Sequence, residues 1–374
     1  MARKPKAVDP SDEVPLSRDN PYFTGHDGAE HTFLDAWSSG RLAHAWLICG
    51  PRGIGKATLA YRMARFALSQ PNDAEQGVSL FGESEPQPDT LQMSGEHPIF
   101  RRVAASGHGD FRAVERAWAD SKQSKRKPSI SVGEVREIGS FLRLTPAEGG
   151  WRVVLIDAAD EMNRNAENAV LKVLEEPPQR ALILLVSHNP ARLLPTIRSR
   201  CRRLDLSPLS AQTVSTLLMR YRPDLDSKDT APLSVLADGS IGRALELANA
   251  GGLDLFRSLI GVLATMPKMD IGMAHALSDA TFKGDGFRTV ADLLTWWLAR
   301  MVSVTARNEW AHTQEIVPGE HAIADRLCAS AGLDQWVEVW EKIARLFERA
   351  DAVHLDKKRT VLNALLAIEQ RAAG

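Results

Sequence analysis

Cysteine is scarce in this chain, and no stretch of it is both long and apolar. The three cysteines, Cys49, Cys201 and Cys328, lie far apart in the sequence. They form no paired framework, which argues against a disulfide-rich secreted domain and suits a reducing compartment. No apolar run approaches the roughly 18 residues that a membrane-spanning helix needs. The predicted location is therefore the cytoplasm.

A strong net charge and a cluster of metal ligands are also missing. The net charge is −1, so no global positive field draws the chain to nucleic acid. Any contact with DNA has to be local or made by partner proteins. His97 and His108 are isolated and have no cysteine near them, whereas a zinc site needs closely spaced sulfur or imidazole ligands. We therefore predict that the chain holds no zinc.

The chain does contain enough apolar residues for several domains. With 374 residues, 44% of them hydrophobic, it should form two or three domains with ordinary cores. Residues 1–20 are charged and predict a disordered tail. Residues 70–128, rich in glycine, proline, serine and acids, predict a long polar insertion. Its basic cluster is either a solvated loop or a local DNA contact; the cluster consists of Lys122, Lys125, Arg126 and Lys127.

A strand, a glycine-rich loop and a helix follow one another near residue 50. Apolar residues 43–49 predict a strand that leads directly into the segment Gly50–Lys56, the context that a phosphate-binding loop requires. Glycines let backbone N–H groups turn toward phosphate oxygens, and the lysine reaches the outer phosphates. The glycines of this loop are Gly50, Gly53 and Gly55. ATP binding is one hypothesis for this loop, and a structural turn without a ligand is the other.

A second apolar run supplies a carboxylate. Residues 153–156 predict a strand buried on both faces, and Asp157 follows directly. A carboxylate at the tip of such a strand, next to a phosphate loop, is placed to hold Mg²⁺. Asp160 and Glu161 come later, where solvated or helix-capping roles are predicted. The sequence therefore offers a nucleotide site made of the glycine loop, Lys56 and Asp157.

Two motifs then follow Asp157 in order. Leu171-Lys-Val-Leu-Glu-Glu-Pro-Pro178 ends a predicted helix, and Ile197-Arg-Ser-Arg-Cys201 follows a further strand and a short helical segment. In this order and spacing, the chain resembles the AAA+ subunits of DNA-polymerase clamp loaders. The resemblance implies an α/β P-loop domain with a parallel sheet, followed by a helical lid and an all-helical oligomerisation (collar) domain. The implied boundaries are 21–206, 207–252 and 253–374.

Within that family, motor subunits hydrolyse ATP and stator subunits do not. Three departures from the motor pattern favour a stator. Ala57 replaces the hydroxyl residue that binds Mg²⁺, Ala158 replaces the acid that orients the attacking water, and Gly242 stands where motors carry a phosphate-sensing arginine. Arg243 is one place further on and is predicted to be a surface charge. A gamma- or tau-like motor remains the alternative, and an unrelated P-loop enzyme is disfavoured by the two motifs.

The resemblance also implies partners and one catalytic residue. The partners would be the clamp-loader subunits delta and gamma or tau, and, through the complex, the beta sliding clamp and primed DNA. Arg200 lies in the motif whose arginine reaches the ATP of a neighbouring subunit, an arginine finger acting in trans. The competing interpretation is a surface arginine paired with an acid such as Asp205. Stripes of apolar residues at helical spacing in the last domain predict core, with some tryptophans possible at subunit interfaces.

Overall fold

The computed structural model describes residues 14–70, 89–119, 126–148, 150–281, 285–353 and 355–374. Most of the predicted N-terminal tail, residues 1–13, lies outside the described residues, as do Lys122 and Lys125 of the basic cluster. The chain divides into two compact units, Met1–Thr213 and Val214–Gly374.

The first unit is built on a five-stranded parallel sheet with the order β2-β3-β4-β1-β5. The strands are β1 (Ala45–Cys49), β2 (Phe111–Glu115), β3 (Arg152–Asp157), β4 (Ala181–Ser187) and β5 (Arg202–Asp205). The inner strands β1 and β4 are buried along their whole length. Such runs are expected when helices cover both faces of a parallel sheet. The predicted parallel α/β sheet is confirmed.

Helices cover the two faces of this sheet and create two separate cores. The first face carries α1 (Asp27–Ser38), α2 (Lys56–Ser69) and α3 (Pro98–Ala104). The second face carries α4 (Val132–Arg143), α5 (Arg164–Glu175) and α6 (Pro195–Arg198). Alternate residues of each strand point to opposite faces, so Val153 and Leu155 enter the first core and Val154 and Ile156 enter the second.

Local sequence signals set the starts of the helices on the second face. Helix α4 begins with a capping box, in which Ser131 and Glu134 satisfy each other's backbone N–H groups. Helix α5 begins after Asn163, whose Oδ1 accepts the N–H of Ala166 at 2.9 Å. The alternative cap, Asn165, lies within the helix.

Two strands escaped the sequence analysis. The predicted polar insertion 70–128 contains helix α3 and the edge strand β2, so its described part belongs to the core of the domain. The sheet also continues to Asp205 through β5, which pairs with β1. Both strands are short, and the burial pattern of β5 leaves only Leu204 buried. Edge strands of this kind lack the continuous apolar run that marked β3 and β4.

The second unit is helical throughout its described residues. Its helices, with the one that leads into it, are α7 (Ala211–Tyr221), α8 (Ser227–Leu236), α9 (Ile241–Asn249), α10 (Gly252–Ala264), α11 (Ile271–Ala280), α12 (Gly286–Arg307), α13 (Glu320–Ser330), α14 (Leu333–Val353) and α15 (Lys357–Ala372). The stripes predicted on α12 and α14 are core, with Trp297 and Trp336 fully buried. A third stripe, predicted from Leu362, Leu365 and Leu366, needs correction, because Leu366 is exposed. The buried face of α15 runs through Val361 and Leu365.

No single helix among the described residues is long and apolar enough to span a membrane. Helices α9 and α10 together have the length and apolar composition of a span, but they meet at a bend of 80°.

Candidate functional site

The loop between β1 and α2 has the backbone geometry of a phosphate-binding loop. Gly50, Gly53 and Gly55 have φ angles of 144°, 76° and 105°. Residues with a side chain rarely adopt such positive φ angles, so all three positions favour glycine. Helix α2 then starts at Lys56, with its N-terminal end at the loop. Backbone N–H groups at such a helix start form an anion-binding concavity.

Neighbouring segments hold this loop tightly in place. A Cβ atom added to Gly50 would lie 2.5 Å from the carbonyl oxygen of Leu206, so the loop passes directly against the chain that leaves β5. On the other side, Nε2 of the buried His26 lies 2.8 Å from the carbonyl oxygen of Ile54. The ring of Phe23 packs against Gly55. The loop is therefore fixed by the protein's own contacts.

Lys56 is a buried cation in this loop. Its side chain is almost wholly buried, and Nζ donates to the carbonyl oxygen of Pro51 at 2.5 Å. Burial lowers the pKa of Lys56 to about 8, and the carboxylates of Asp157 and Asp160 act in the opposite direction. The structure thus brings Lys56 and Asp157 to one place, as predicted from the sequence.

Asp157 ends β3 at the same edge of the sheet. Burial and the nearby carboxylate of Glu115 raise the pKa of Asp157 to about 6, while Lys56 opposes the shift. Glu115 ends the adjacent strand β2 and lies directly opposite Asp157 in the register. Glu115 could not be predicted from the sequence, because strand β2 lacks a continuous apolar run.

Asp160 is buried, which corrects the solvated role, one of the two roles predicted for it. Its two carboxylate oxygens accept the backbone N–H groups of His188 and Asn189, at 2.9 and 3.1 Å. Burial alone would raise the pKa of Asp160, but hydrogen bonds, first of all the one from the backbone N–H of His188, hold it below its ordinary value. The carboxylate therefore fixes the loop that leaves β4. Glu161 is paired with Arg116, whose Nε lies 2.5 Å from its Oε2.

His188 adds a neutral imidazole to this edge. Burial and the nearby Lys56 lower the pKa of His188 to about 4, so the ring is uncharged at neutral pH. No role was predicted for His188 from the sequence. His188 lies near enough to Lys56 to feel its charge, because β1 and β4 are neighbouring parallel strands and end side by side.

These residues fit a phosphate group better than they fit a metal-dependent hydrolytic site. The glycine loop, the start of α2 and Lys56 form a cradle with the right chemistry for phosphate oxygens. The residue after the lysine is Ala57, which offers no hydroxyl to Mg²⁺, and Ala158 offers no acid to a water. Only Asp157 of the usual metal-binding groups is present. Thr58 is buried, one residue further along α2.

Arg200 lies between α6 and β5, with its side chain 35% exposed. Its Nη2 is 2.9 Å from Oε1 of Glu175, the last residue of α5, and Nη1 donates to the carbonyl oxygen of Thr196 at 3.1 Å. The predicted alternative partner, Asp205, is instead paired with Arg203. The interpretation of Arg200 as a surface arginine named the wrong partner, which is Glu175 and not Asp205.

The glycine loop and Arg200 lie at opposite edges of the sheet. Parallel strands all end at one edge, which carries the loop after Cys49 and the carboxylate of Asp157. Arg200 precedes β5, and Asp205 at the far end of that strand is the residue level with Cys49. Strand β5 has four residues, so its two ends lie about 10 Å apart. Arg200 comes two residues before the strand begins. Arg200 therefore cannot serve the phosphate loop of its own chain.

In the second unit, Arg243 is partly buried, which corrects the prediction of a surface charge. Its guanidinium lies 5.7 Å from the ring centre of Trp296, and Arg300 lies 5.2 Å from the same ring. Burial lowers the pKa of Arg243. Arg243 therefore ties α9 to α12.

The remaining predicted ligand candidates have structural roles. Nδ1 of His97 accepts the N–H of Ile99 at the start of α3, and Nδ1 of His108 accepts the N–H of Asp110. The three cysteines are free thiols. Among the residues that the structure describes, no group of three or more His, Cys, Asp or Glu side chains could hold a metal ion. The zinc prediction stays a prediction.

The first unit of this chain is similar to known proteins. The family model described as DNA polymerase III, delta subunit, matches residues 25–210. DNA polymerase III subunit delta' of Pseudomonas aeruginosa is 37% identical over 56% of this chain and 57% of its own length. The delta' subunit of Escherichia coli is 31% identical over 61% of both chains. The match thus spans about three fifths of the length of these curated relatives.

The chain is also similar to proteins named as gamma subunits. A DNA polymerase III subunit gamma from Buchnera aphidicola is 28% identical over 72% of this chain and 70% of its own length. Among solved structures, a gamma-subunit-related protein of Thermotoga maritima superposes with a TM-score of 0.35 at 17% identity, over 91% of this chain and 99% of its own. That score is low, so the fold assignment rests on the sheet itself. Through residues 25–210, the chain belongs to the DNA polymerase III delta-subunit family, as a member of the delta' type.

Proposed function

We propose that this chain is a stator-type subunit of the DNA polymerase III clamp loader. In this role it assembles with delta and with gamma or tau subunits in the cytoplasm and helps load the beta sliding clamp onto primed DNA. It makes no phosphodiester bonds and hydrolyses little or no ATP itself. Its chemical contribution is Arg200, which reaches the ATP of a neighbouring subunit.

The position of Arg200 is the observation that carries this proposal. The guanidinium is partly exposed, at the sheet edge opposite its own phosphate loop. A guanidinium stays charged and presents fixed donors, so it can stabilise the charge that develops on a transferring phosphoryl group. A phosphate that it contacts has to come from another subunit. A stator with such a group makes its neighbour's hydrolysis depend on correct assembly.

The second candidate is a motor subunit that hydrolyses its own ATP. The intact geometry of the glycine loop and the buried Lys56 favour it. Against it stand Ala57 and Ala158, which leave the metal and the water without two of their usual partners. Nucleotide binding without hydrolysis is compatible with both candidates.

The experiment compares complexes reconstituted from this chain and the delta and gamma or tau subunits of the same organism. Arg200→Ala should assemble normally and remove one kinetic phase of ATP hydrolysis, because arginine fingers contribute about 10³- to 10⁵-fold in rate. Arg200→Lys should rescue poorly, since lysine lacks the forked donor geometry.

Arg203→Ala is the matched control, because this arginine is nearby, exposed and paired within its own strand to Asp205. Single-turnover hydrolysis and clamp loading are both measured. An assembled Arg200→Ala complex that works at the unmodified rate would remove the trans-acting role.

A further inference from the structure

Glu175 contacts Arg200 and is the last residue of α5. Its Oε1 lies 2.9 Å from Nη2, and the carbonyl oxygen of Thr196 accepts from Nη1 at 3.1 Å. A guanidinium has five N–H donors. The two contacts occupy two of these and come from two different elements, α5 and α6. Three donors therefore remain for a phosphate while the group is held from two sides.

Helix α5 is a firm support for this contact. Near its start, the buried Glu167 accepts the N–H of Leu194 at 3.2 Å, which joins α5 to the chain just before α6. Near its end, the carbonyl oxygen of Leu174 lies 3.1 Å from Nε2 of His44, just before β1. The carboxylate of Glu175 is thus presented from a helix that is anchored at both ends.

The ion pair of Glu175 and Arg200 contributes little to the stability of the fold. The two side chains are 49% and 35% exposed, and ion pairs at this exposure contribute little to the free energy of unfolding. Orientation is a different matter. An unpaired arginine side chain samples many rotamers, and a group placed in advance loses less freedom when it meets its target.

We propose that Glu175 is a positioning residue that holds Arg200 in the orientation needed to reach a neighbouring subunit's phosphate. This inference rests on the proposed function, because it requires that Arg200 acts in trans. It assigns a role to the first glutamate of the Glu175-Glu176-Pro177-Pro178 segment, which the sequence analysis used only as a family motif.

The test uses the reconstituted complex and single-turnover ATP hydrolysis. Arg200→Ala defines the phase that depends on the finger. Glu175→Ala should slow that phase about tenfold, because a small misplacement of a positioned group is costly. The ATP concentration for half-maximal rate should stay unchanged. Glu175→Gln keeps an oxygen that accepts a hydrogen bond and should restore most of the lost rate.

Glu176→Gln is the matched control, since this neighbouring residue is also an exposed glutamate at the end of α5. It should leave the phase unchanged. Melting temperatures of all variants should stay within about 2 °C of the parent, because surface substitutions have small effects on stability. That result separates a change in rate from a change in folding.

The possible failures are distinguishable. If Arg200→Ala removes a phase but Glu175→Ala leaves that phase as fast as Glu176→Gln does, the positioning role of Glu175 is wrong and the proposed function stands. A faster phase in Glu175→Ala would also overturn the inference, since it would make Glu175 a competitor of the phosphate. If Arg200→Ala removes no phase, both proposals fail together.

Discussion

The two edges of the parallel sheet differ in how complete their chemistry is. At the edge where the strands end, the glycine loop, Lys56 and Asp157 form a well-packed site that lacks a hydroxyl at position 57 and an acid at position 158. At the opposite edge, Arg200 carries the only group its proposed role needs and is held by Glu175. The loop thus has the shape of a phosphate-binding loop although positions 57 and 158 are alanines, because packing and chemistry depend on different side chains.

The largest expected effect on ATP hydrolysis is the difference between replacing Arg200 and replacing Lys56, the cations at the two edges. In the reconstituted complex, Arg200→Ala should slow the hydrolytic phase that depends on it by about 10³-fold. Lys56→Ala should change hydrolysis by the complex less than about twofold, since this chain's own site lacks the groups for hydrolysis. Single-turnover measurements on both variants check the contrast. Equal losses in the two variants would mean that both edges are catalytically active.

The next largest effect should come from restoring the missing groups. The isolated chain is expected to hydrolyse ATP at the background rate. Ala57→Thr with Ala158→Glu supplies a metal ligand and a water-orienting acid, and should raise Mg²⁺-dependent turnover at least about tenfold. Phosphate release is measured with and without Mg²⁺. Mg²⁺-dependent turnover by the unmodified chain would instead favour the motor function.

A third comparison concerns packing at the glycine loop. Gly50→Ala forces a side chain into a φ of 144° and against the carbonyl oxygen of Leu206, which should cost about 3 kcal/mol of stability. Gly28→Ala is the control, because this glycine lies in α1 with no atom near the added Cβ. Its effect should be neutral or stabilising by up to about 1 kcal/mol. Thermal unfolding of both variants measures the difference, and a tolerated Gly50→Ala would show that the loop is loosely held.

The smallest effect is the dependence of stability on the titration of Lys56. Its folded pKa of about 8 is below the ordinary 10.5, so the unfolded chain binds the proton more tightly. The stability associated with neutral Lys56 is present above pH 10.5 and is lost as the pH falls through about 8. Relative to Lys56→Met, the parent should gain up to about 1 kcal/mol per pH unit between pH 8 and 10. Parallel melting curves of the two proteins against pH show whether the difference rises or stays flat.

Continuous or periodic apolar patterns made much of the fold predictable. The runs in β3 and β4 and the stripes on α12 and α14 were identified because burial on both faces, or on one helical face, leaves a direct pattern in the sequence. The edge strands β2 and β5 were missed because each pairs with a neighbouring strand on one side only and leaves several residues exposed, two of five in β2 and three of four in β5.

The candidate site divides along similar lines. The glycine loop, Asp157 and Arg200 could be proposed as site residues from the sequence, because each lies in a short motif of fixed spacing. The partners of these residues come from distant parts of the chain. Spacing in the sequence does not predict these contacts, which are those of His26 with Ile54, of Glu115 with Asp157 and of Asp160 with His188.

By itself, the sequence determined the buried strands β1, β3 and β4, the glycines at the loop, and the absence of a hydroxyl and an acid at positions 57 and 158, because all of these are properties of local residue type. Only the tertiary structure decided that Lys56 is buried between carboxylates and that Arg200 pairs with Glu175 rather than Asp205. It also decided that the loop and the arginine lie at opposite edges. The physical reason is that the parallel order of the strands, not distance along the chain, sets which side chains meet.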